Sequence, residues 1–145
     1  MPLELAGRKD LCHRLYRRGE KPEYRFLYRH ARPLLPVWRD GQFQIVRWGN
    51  KRGQSRSLPR TGWTWQSTLK DGGWGGTEAV LVDIPASYGL ECRGVWFLIE
   101  VGIRGMLVPD EQGVAVCYMI CEPASHYYRI MTGSARMPLL IDQRI

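Results

Sequence analysis

The apolar positions of this chain fall in short clusters separated by polar, glycine- and proline-bearing stretches. Clusters of that length, rich in β-branched and aromatic residues, predict strands rather than helices. The most apolar of them is Gly94-Val95-Trp96-Phe97-Leu98-Ile99-Glu100-Val101-Gly102-Ile103, bounded by glycines and predicted as a buried strand. One carboxylate, Glu100, sits inside it. A carboxylate so placed either faces solvent, pairs with an arginine, or stays unpaired in an apolar site. In the last case its pKa rises and it can exchange a proton near neutral pH. Residues 114–121 predict a second buried strand, and residues 77–84 a third that Pro85 stops. Residues 36–39 and 42–48 flank Asp40-Gly41, the signature of a tight hairpin between aromatic and β-branched arms.

The remaining stretches are less patterned. Residues 1–11 read as a loose leader. Residues 11–28 are rich in Arg, Leu and Tyr but contain Gly19 and Pro22, so any helix there is short. Two prolines between Arg32 and Pro36 demand an extended or turning backbone. Residues 49–62 are polar, basic and without period, which predicts a mobile loop. Trp63, Trp65 and Trp74 follow among Gly72, Gly73, Gly75 and Gly76, and an apolar segment at 137–141 closes the chain. Strands outnumber helices throughout. The expected fold is α+β and mainly β, one domain over residues 1–145, with a curved or barrel-like antiparallel sheet and short helices.

Charge changes the picture more than composition does. Residues 1–60 carry 15 Lys and Arg against 5 Asp and Glu, whereas residues 61–145 carry 6 against 9. A basic half beside a mildly acidic half points to an anionic partner on one face, and nucleic acid is the common one. No apolar run approaches the roughly 20 residues of a membrane-spanning helix. Residues 1–5 have no signal-peptide pattern, and Cys12, Cys92, Cys117 and Cys121 are too irregularly spaced for a disulfide framework, so a cytoplasmic protein with reduced thiols is expected.

Cations and indoles interleave over Trp38, Arg39, Arg47, Trp48, Lys51, Arg52, Arg56, Arg60, Trp63 and Trp65. Single-stranded nucleic acid is held by this pairing of residue types, cations following the phosphates while rings stack on unpaired bases. Cys117 and Cys121 with His126 lack zinc-ligand spacing, and four residues apart on a strand the two thiols share one face, which reads as core packing. No cofactor-binding loop and no nucleophile elbow is present, so no cofactor is expected. Cys12 stands beside His13 and Arg14, neighbours that can lower a thiol pKa.

The order of several motifs resembles the SOS response-associated peptidase family. Arg136-Met137-Pro138 resembles that family's His-x-Arg-Met-Pro ending. Arg47-Trp48-Gly49 resembles its Trp-Gly motif after an early hairpin, and Pro36-Val37 the proline-bearing segment before it. Cys92 and Glu100 resemble an Arg-Cys … Gly-Phe-Tyr-Glu-Trp segment whose glutamate is catalytic, and Cys12-His13-Arg14 resembles a Cys-Gly-Arg start. The resemblance covers residues 12–141. It implies a β-rich single domain with a basic groove for single-stranded DNA. In the family a cysteine with a free α-amine closes a thiazolidine crosslink on an abasic site, helped by an asparagine, a glutamate and a histidine.

This chain departs from that pattern. Cys12 has eleven residues before it and so no α-amine, Ser134 stands where the histidine falls, and residues 63–68 occupy the place of an Asn-Ala-Arg-Ala-Glu-Thr motif. The expectation is therefore a protein that binds single-stranded or abasic-site DNA with degenerate catalysis. Trp38, Arg39, Arg47, Trp48, Lys51, Arg52, Arg56 and Arg136 would hold the strand, and Glu100 and Cys12 would mark the remnant catalytic set. Processing before Cys12 would restore crosslinking chemistry. A protein-interaction module on the same scaffold is the third reading.

Overall fold

The computed structural model describes residues 8–19, 21–91 and 93–145. A 3₁₀ turn over Lys9–Arg14 leads into a hairpin of β1 (Leu15–Arg18) and β2 (Lys21–Tyr24). The barrel follows with β3 (Leu34–Arg39) and β4 (Gln42–Trp48), then β5 (Trp63–Trp65) and the five-residue helix α1 (Gln66–Lys70). Next come β6 (Val80–Pro85), a second small hairpin of β7 (Tyr88–Leu90) and β8 (Trp96–Leu98), and the long strands β9 (Gly102–Pro109) and β10 (Ala115–Pro123). Helix α2 (His126–Thr132) and β11 (Arg136–Pro138) end the chain.

Strands pair in the order β10–β4–β3–β6–β9, and β9 pairs back onto β10, which closes a five-stranded barrel. The fold is thus mainly β with two short α-helices, as expected. Most pairings are antiparallel, but β10 lies parallel to β4 through Val116 and Cys117 and parallel to β5 through Met119 to Cys121. β11 and the residues after it take up β10's other edge where β9 leaves it, with Leu139 N–H donating to Ile120 O at 2.9 Å.

β10 is apolar from Ala115 to Cys121 because both its faces are buried, and β9 is buried on both faces from Gly105 to Val108, after the exposed Arg104. Along β10, Cys117 and Met119 point into the barrel beside Leu35, Val37, Val82, Ile84 and Leu107. Their neighbours Val116, Tyr118 and Ile120 point outward into a second cluster with Met106 and Val108, covered by Leu58, Leu69 and Trp74. Cys117 and Cys121 are buried, and burial pushes their thiols up to about 12 and about 11, which is the expected core role.

The Asp40-Gly41 hairpin forms as the sequence predicts. Both turn residues take positive φ (50° and 76°), the conformation that matches the twist of the flanking strands. Two expectations are corrected. The run 94–103 is not one strand: β8 ends at Leu98 and β9 begins at Gly102. The Gln143 side chain takes the place of a neighbouring strand in between, donating to Leu98 O (2.9 Å) and accepting from Glu100 N–H (2.8 Å). Residues 1–7 of the expected leader lie outside the described residues, but Leu11 is buried at 1% exposure, so the segment is docked by then. Residues 15–24, where the sequence predicts no strand, form a hairpin with Gly19 at φ 63° in its turn, while the helical turn that overlaps 11–28, Lys9–Arg14, is short as expected.

Gly49 ends β4 at φ 66°, and a Cβ there would stand 2.4 Å from Thr61 O. Its own N–H donates to Cys117 O, so the backbone cannot step aside without opening the barrel seam. Gly49→Ala is expected to destabilise the fold by about 2–3 kcal/mol, from overpacking plus left-handed strain. Urea unfolding checks this, and an unchanged midpoint would contradict it.

Candidate nucleic-acid interface

The two small hairpins stand apart from the barrel sheet and frame its mouth. Between them opens a cleft of about 940 Å³ whose floor is the barrel end, with Leu35, Ile84, Ile103 and Met119. Residues 21–29 form one wall, and the β7–β8 hairpin with Tyr88, Glu91, Trp96 and Phe97 forms the other. Arg25 spans the two: its guanidinium lies 4.4 Å from the Tyr16 ring and 5.2 Å from the Trp96 ring, and its Nε donates to Glu23 at 2.9 Å.

A nest of rings fills the side of the mouth next to β5. Tyr28 packs against Trp48 (5.2 Å) and Trp63 (6.2 Å), and those indoles meet edge-on at 5.4 Å. Gly62 makes the approach possible, because a Cβ there would stand 2.5 Å from Tyr28 Cε1 and 2.8 Å from Trp48 Nε1. Burial raises the Tyr28 phenol pKa, and its hydroxyl has no hydrogen-bond partner among the described residues. The Arg136 guanidinium lies 4.0 Å from the centre of the Trp63 ring.

The wall carries its charge in sequence order. From Arg14 to Arg32 the chain holds seven Lys and Arg (14, 17, 18, 21, 25, 29, 32) against Glu20 and Glu23. Lys21, Arg25 and Arg29 of that set line the cleft, with Glu23 on the same wall and Glu91 and Glu100 elsewhere in the lining. Glu23 is matched by Arg25. Glu91 opens the turn before β8, where Gly94 N–H donates to its carbonyl at 2.9 Å. Its carboxylate accepts the hydroxyl proton of Tyr128, which is fully buried on α2.

The expected site residues separate on this frame. Trp48 is 6% exposed and its Nε1–H donates to Gly62 O, so it is core and not an open stacking ring. Arg47 pairs with Asp110 at 2.6 Å and also donates to Gln54, and is therefore spent inside the protein. Lys51 donates to the carbonyls of Tyr28 and His30, tying the 28–30 turn. Trp38 packs on Phe43 next to the 40–41 turn, and Arg39 lies beside Asp40, neither of them in the cleft. Arg52 and Arg56 are exposed on the 50–60 loop. Arg136 does not line the cleft itself but lies on the Trp63 ring at its border.

Glu100 lines the cleft but is exposed, so it is not a carboxylate buried in an apolar pocket. The Cys12 side chain lies outside the described residues. Ser134 caps its own turn, donating to Arg136 O at 2.7 Å, and does not line the cleft. The residues that sequence reasoning missed are Lys21, Tyr24, Arg29, Tyr88, Glu91 and Trp96. The Arg- and Tyr-rich composition of 11–28 was the signal for Lys21 and Tyr24, and Trp96 lay in the apolar run 94–103.

The loop expected to be mobile is tied at both ends. The Asn50 side-chain amide donates to Ser55 O and Leu58 O and accepts from Ser55 N–H. Glu111 accepts from the Ser55 hydroxyl (2.6 Å), the Arg56 N–H (2.8 Å) and the Ser57 hydroxyl (3.2 Å). These bonds, led by Ser55, hold the Glu111 carboxyl down at about 2. A depressed carboxyl contributes stability above its ordinary value of 4.5 and loses it as pH falls towards about 2. The Arg56 amide resonance should therefore titrate with a midpoint near 2 in an NMR pH series, and not at all in Glu111→Gln. A midpoint near 4.5 would show that the loop is not tied through Glu111.

No helix among the described residues is long and apolar enough to cross a membrane. Comparison with protein-family models, with curated proteins and with solved structures finds no match to this chain, so its function is read from the cleft and from its own motifs.

Proposed function

We propose that this protein binds single-stranded DNA, including strands with an abasic site, in the cleft at the barrel mouth, on a compact scaffold like that of the SOS response-associated peptidase family. One observation carries the reading: a wall with Lys21, Arg25 and Arg29 within nine residues meets a mouth bordered by tyrosines and tryptophans. Phosphates require only cations at a solvated edge, and unpaired bases require only accessible ring faces. In this reading Lys21 and Arg29 follow the phosphates, while Tyr24, Tyr88 and Trp96 offer stacking surfaces. Glu91, oriented by Tyr128, takes the place that the resemblance gave to Glu100 and accepts hydrogen bonds from a sugar hydroxyl or a base edge.

The two-hairpin frame favours a single strand over a duplex. A cleft of about 940 Å³ is at the upper end of small-ligand sites and encloses a few stacked rings, whereas a duplex would meet only the rims of the hairpins. The carboxylates opposite the basic wall work against purely electrostatic capture, so stacking carries much of the affinity.

Fluorescence anisotropy with labelled oligothymidylate across a salt series is the test. Saturable binding is expected, its logarithm falling by about 0.7 per phosphate held for each decade of salt. Trp96→Ala is expected to weaken it by about fivefold to a hundredfold, equivalent to roughly 1–3 kcal/mol of stacking. Lys21→Ala is expected to reduce the salt slope by about 0.7. Salt-independent binding, no saturable binding, or variants indistinguishable from the parent would overturn the proposal.

A further inference from the structure

A second concavity, which shares Trp63 with the mouth, lies over β5 and the end of β9. It is a groove of about 740 Å³ between the turn that follows α1, the residues before β5, and the turn joining β9 to β10. Trp65 is 43% exposed at its edge, an unusual state for an indole with no partner to cover it. Trp74 forms part of the floor, fixed by its Nε1–H to the Thr64 hydroxyl at 3.0 Å and packed on Tyr118 at 5.3 Å. Pro59 and Pro109 form walls.

Charge identifies the occupant. The protein has a net charge of +7, yet the charged residues lining this groove are Glu78, Asp110 and Glu111, with no Lys, Arg or His among them. Arg47 neutralises Asp110. Glu111 is held only by neutral hydroxyls and an amide, so its charge remains. Glu78 is exposed, and its carboxylate takes no hydrogen bond or ion pair from the described residues. Two uncompensated negative charges therefore border a surface of indole and proline.

Rings and prolines in an open groove suit an extended, proline-containing peptide, whose backbone is already ordered before binding. The carboxylates and the exposed indole select a cationic side chain on it, held by charge and by the ring face. We propose that this groove docks an arginine-bearing, proline-rich segment of a partner polypeptide. Among their lining residues the groove and the cleft share Trp63 alone, and the proposal does not depend on the DNA reading.

Isothermal titration or anisotropy with a labelled octapeptide of alternating Pro and Arg tests it, against octapeptides of alternating Pro and Glu and of alternating Pro and Gln. The arginine peptide is expected to bind saturably, more tightly than the glutamine one, and the glutamate one to bind least. Trp65→Ala should weaken binding about tenfold, as an anchoring ring does, and Glu78→Gln about threefold. Glu78→Lys should reduce the preference for the arginine peptide over the glutamate peptide, a change in ranking that loss of folding cannot mimic. Trp96→Ala, in the other cleft, should leave the peptide affinity unchanged. Absence of saturable binding, equal binding of all three peptides, insensitivity to the Trp65 and Glu78 substitutions, or sedimentation showing that a second copy of the chain fills the groove would overturn it.

Discussion

The backbone of β10 is the constraint on which everything else rests. Its nine residues must satisfy hydrogen-bonding groups on two edges while both faces are buried. It does so with four different strands. β9 and then β11 use one edge, and β4 and then β5 use the other. Each edge changes partner near the strand's middle, which splays the barrel at that level. Trp48 and Gly49 leave the sheet where β4 ends, Gly62 and Trp63 rejoin it where β5 begins, and the ring nest of the mouth forms at that junction. The cleft is thus a product of how one buried strand shares its bonds.

What could be read from the sequence follows the same physics. A strand buried on both faces announces itself as an unbroken apolar run, so β10 was legible at 114–121. An Asp-Gly pair between apolar arms leaves few alternatives, so the β3–β4 hairpin was legible to within two residues. The run at 94–103 misled, because apolar content cannot report a side chain such as Gln143, distant in sequence, that substitutes for a strand. The hairpins β1–β2 and β7–β8 were invisible. They are three or four residues per strand, only partly buried, and their Gly19 and Gly94 turns lack a diagnostic pair.

The candidate site was less legible than the fold, for a geometric reason. Trp38 with Arg39 and Arg47 with Trp48 look like ready pairs in a linear reading. Adjacent residues on a strand point to opposite faces, so linear adjacency separates ring from cation. Trp48 accordingly enters the core while Arg47 turns out to Asp110. The pairs that do form cross the chain: Arg25 on Trp96 and Arg136 on Trp63 are separated by about seventy residues each, and only the closed barrel brings them together. Part of the basic first half does reach the mouth, since residues 21–29, with Lys21, Arg25 and Arg29, form one of its walls.

The central claim is that a single strand of nucleic acid occupies this mouth and no other surface. The six tryptophan indole resonances report it directly, because Trp96 and Trp63 line the cleft while Trp38 and Trp65 lie outside it. Titrating oligothymidylate into isotope-labelled protein should shift the Nε1–H signals of Trp96 and Trp63 and leave those of Trp38 and Trp65 in place. Shifts confined to Trp38 or Trp65, or no shift at saturating DNA, would contradict the account.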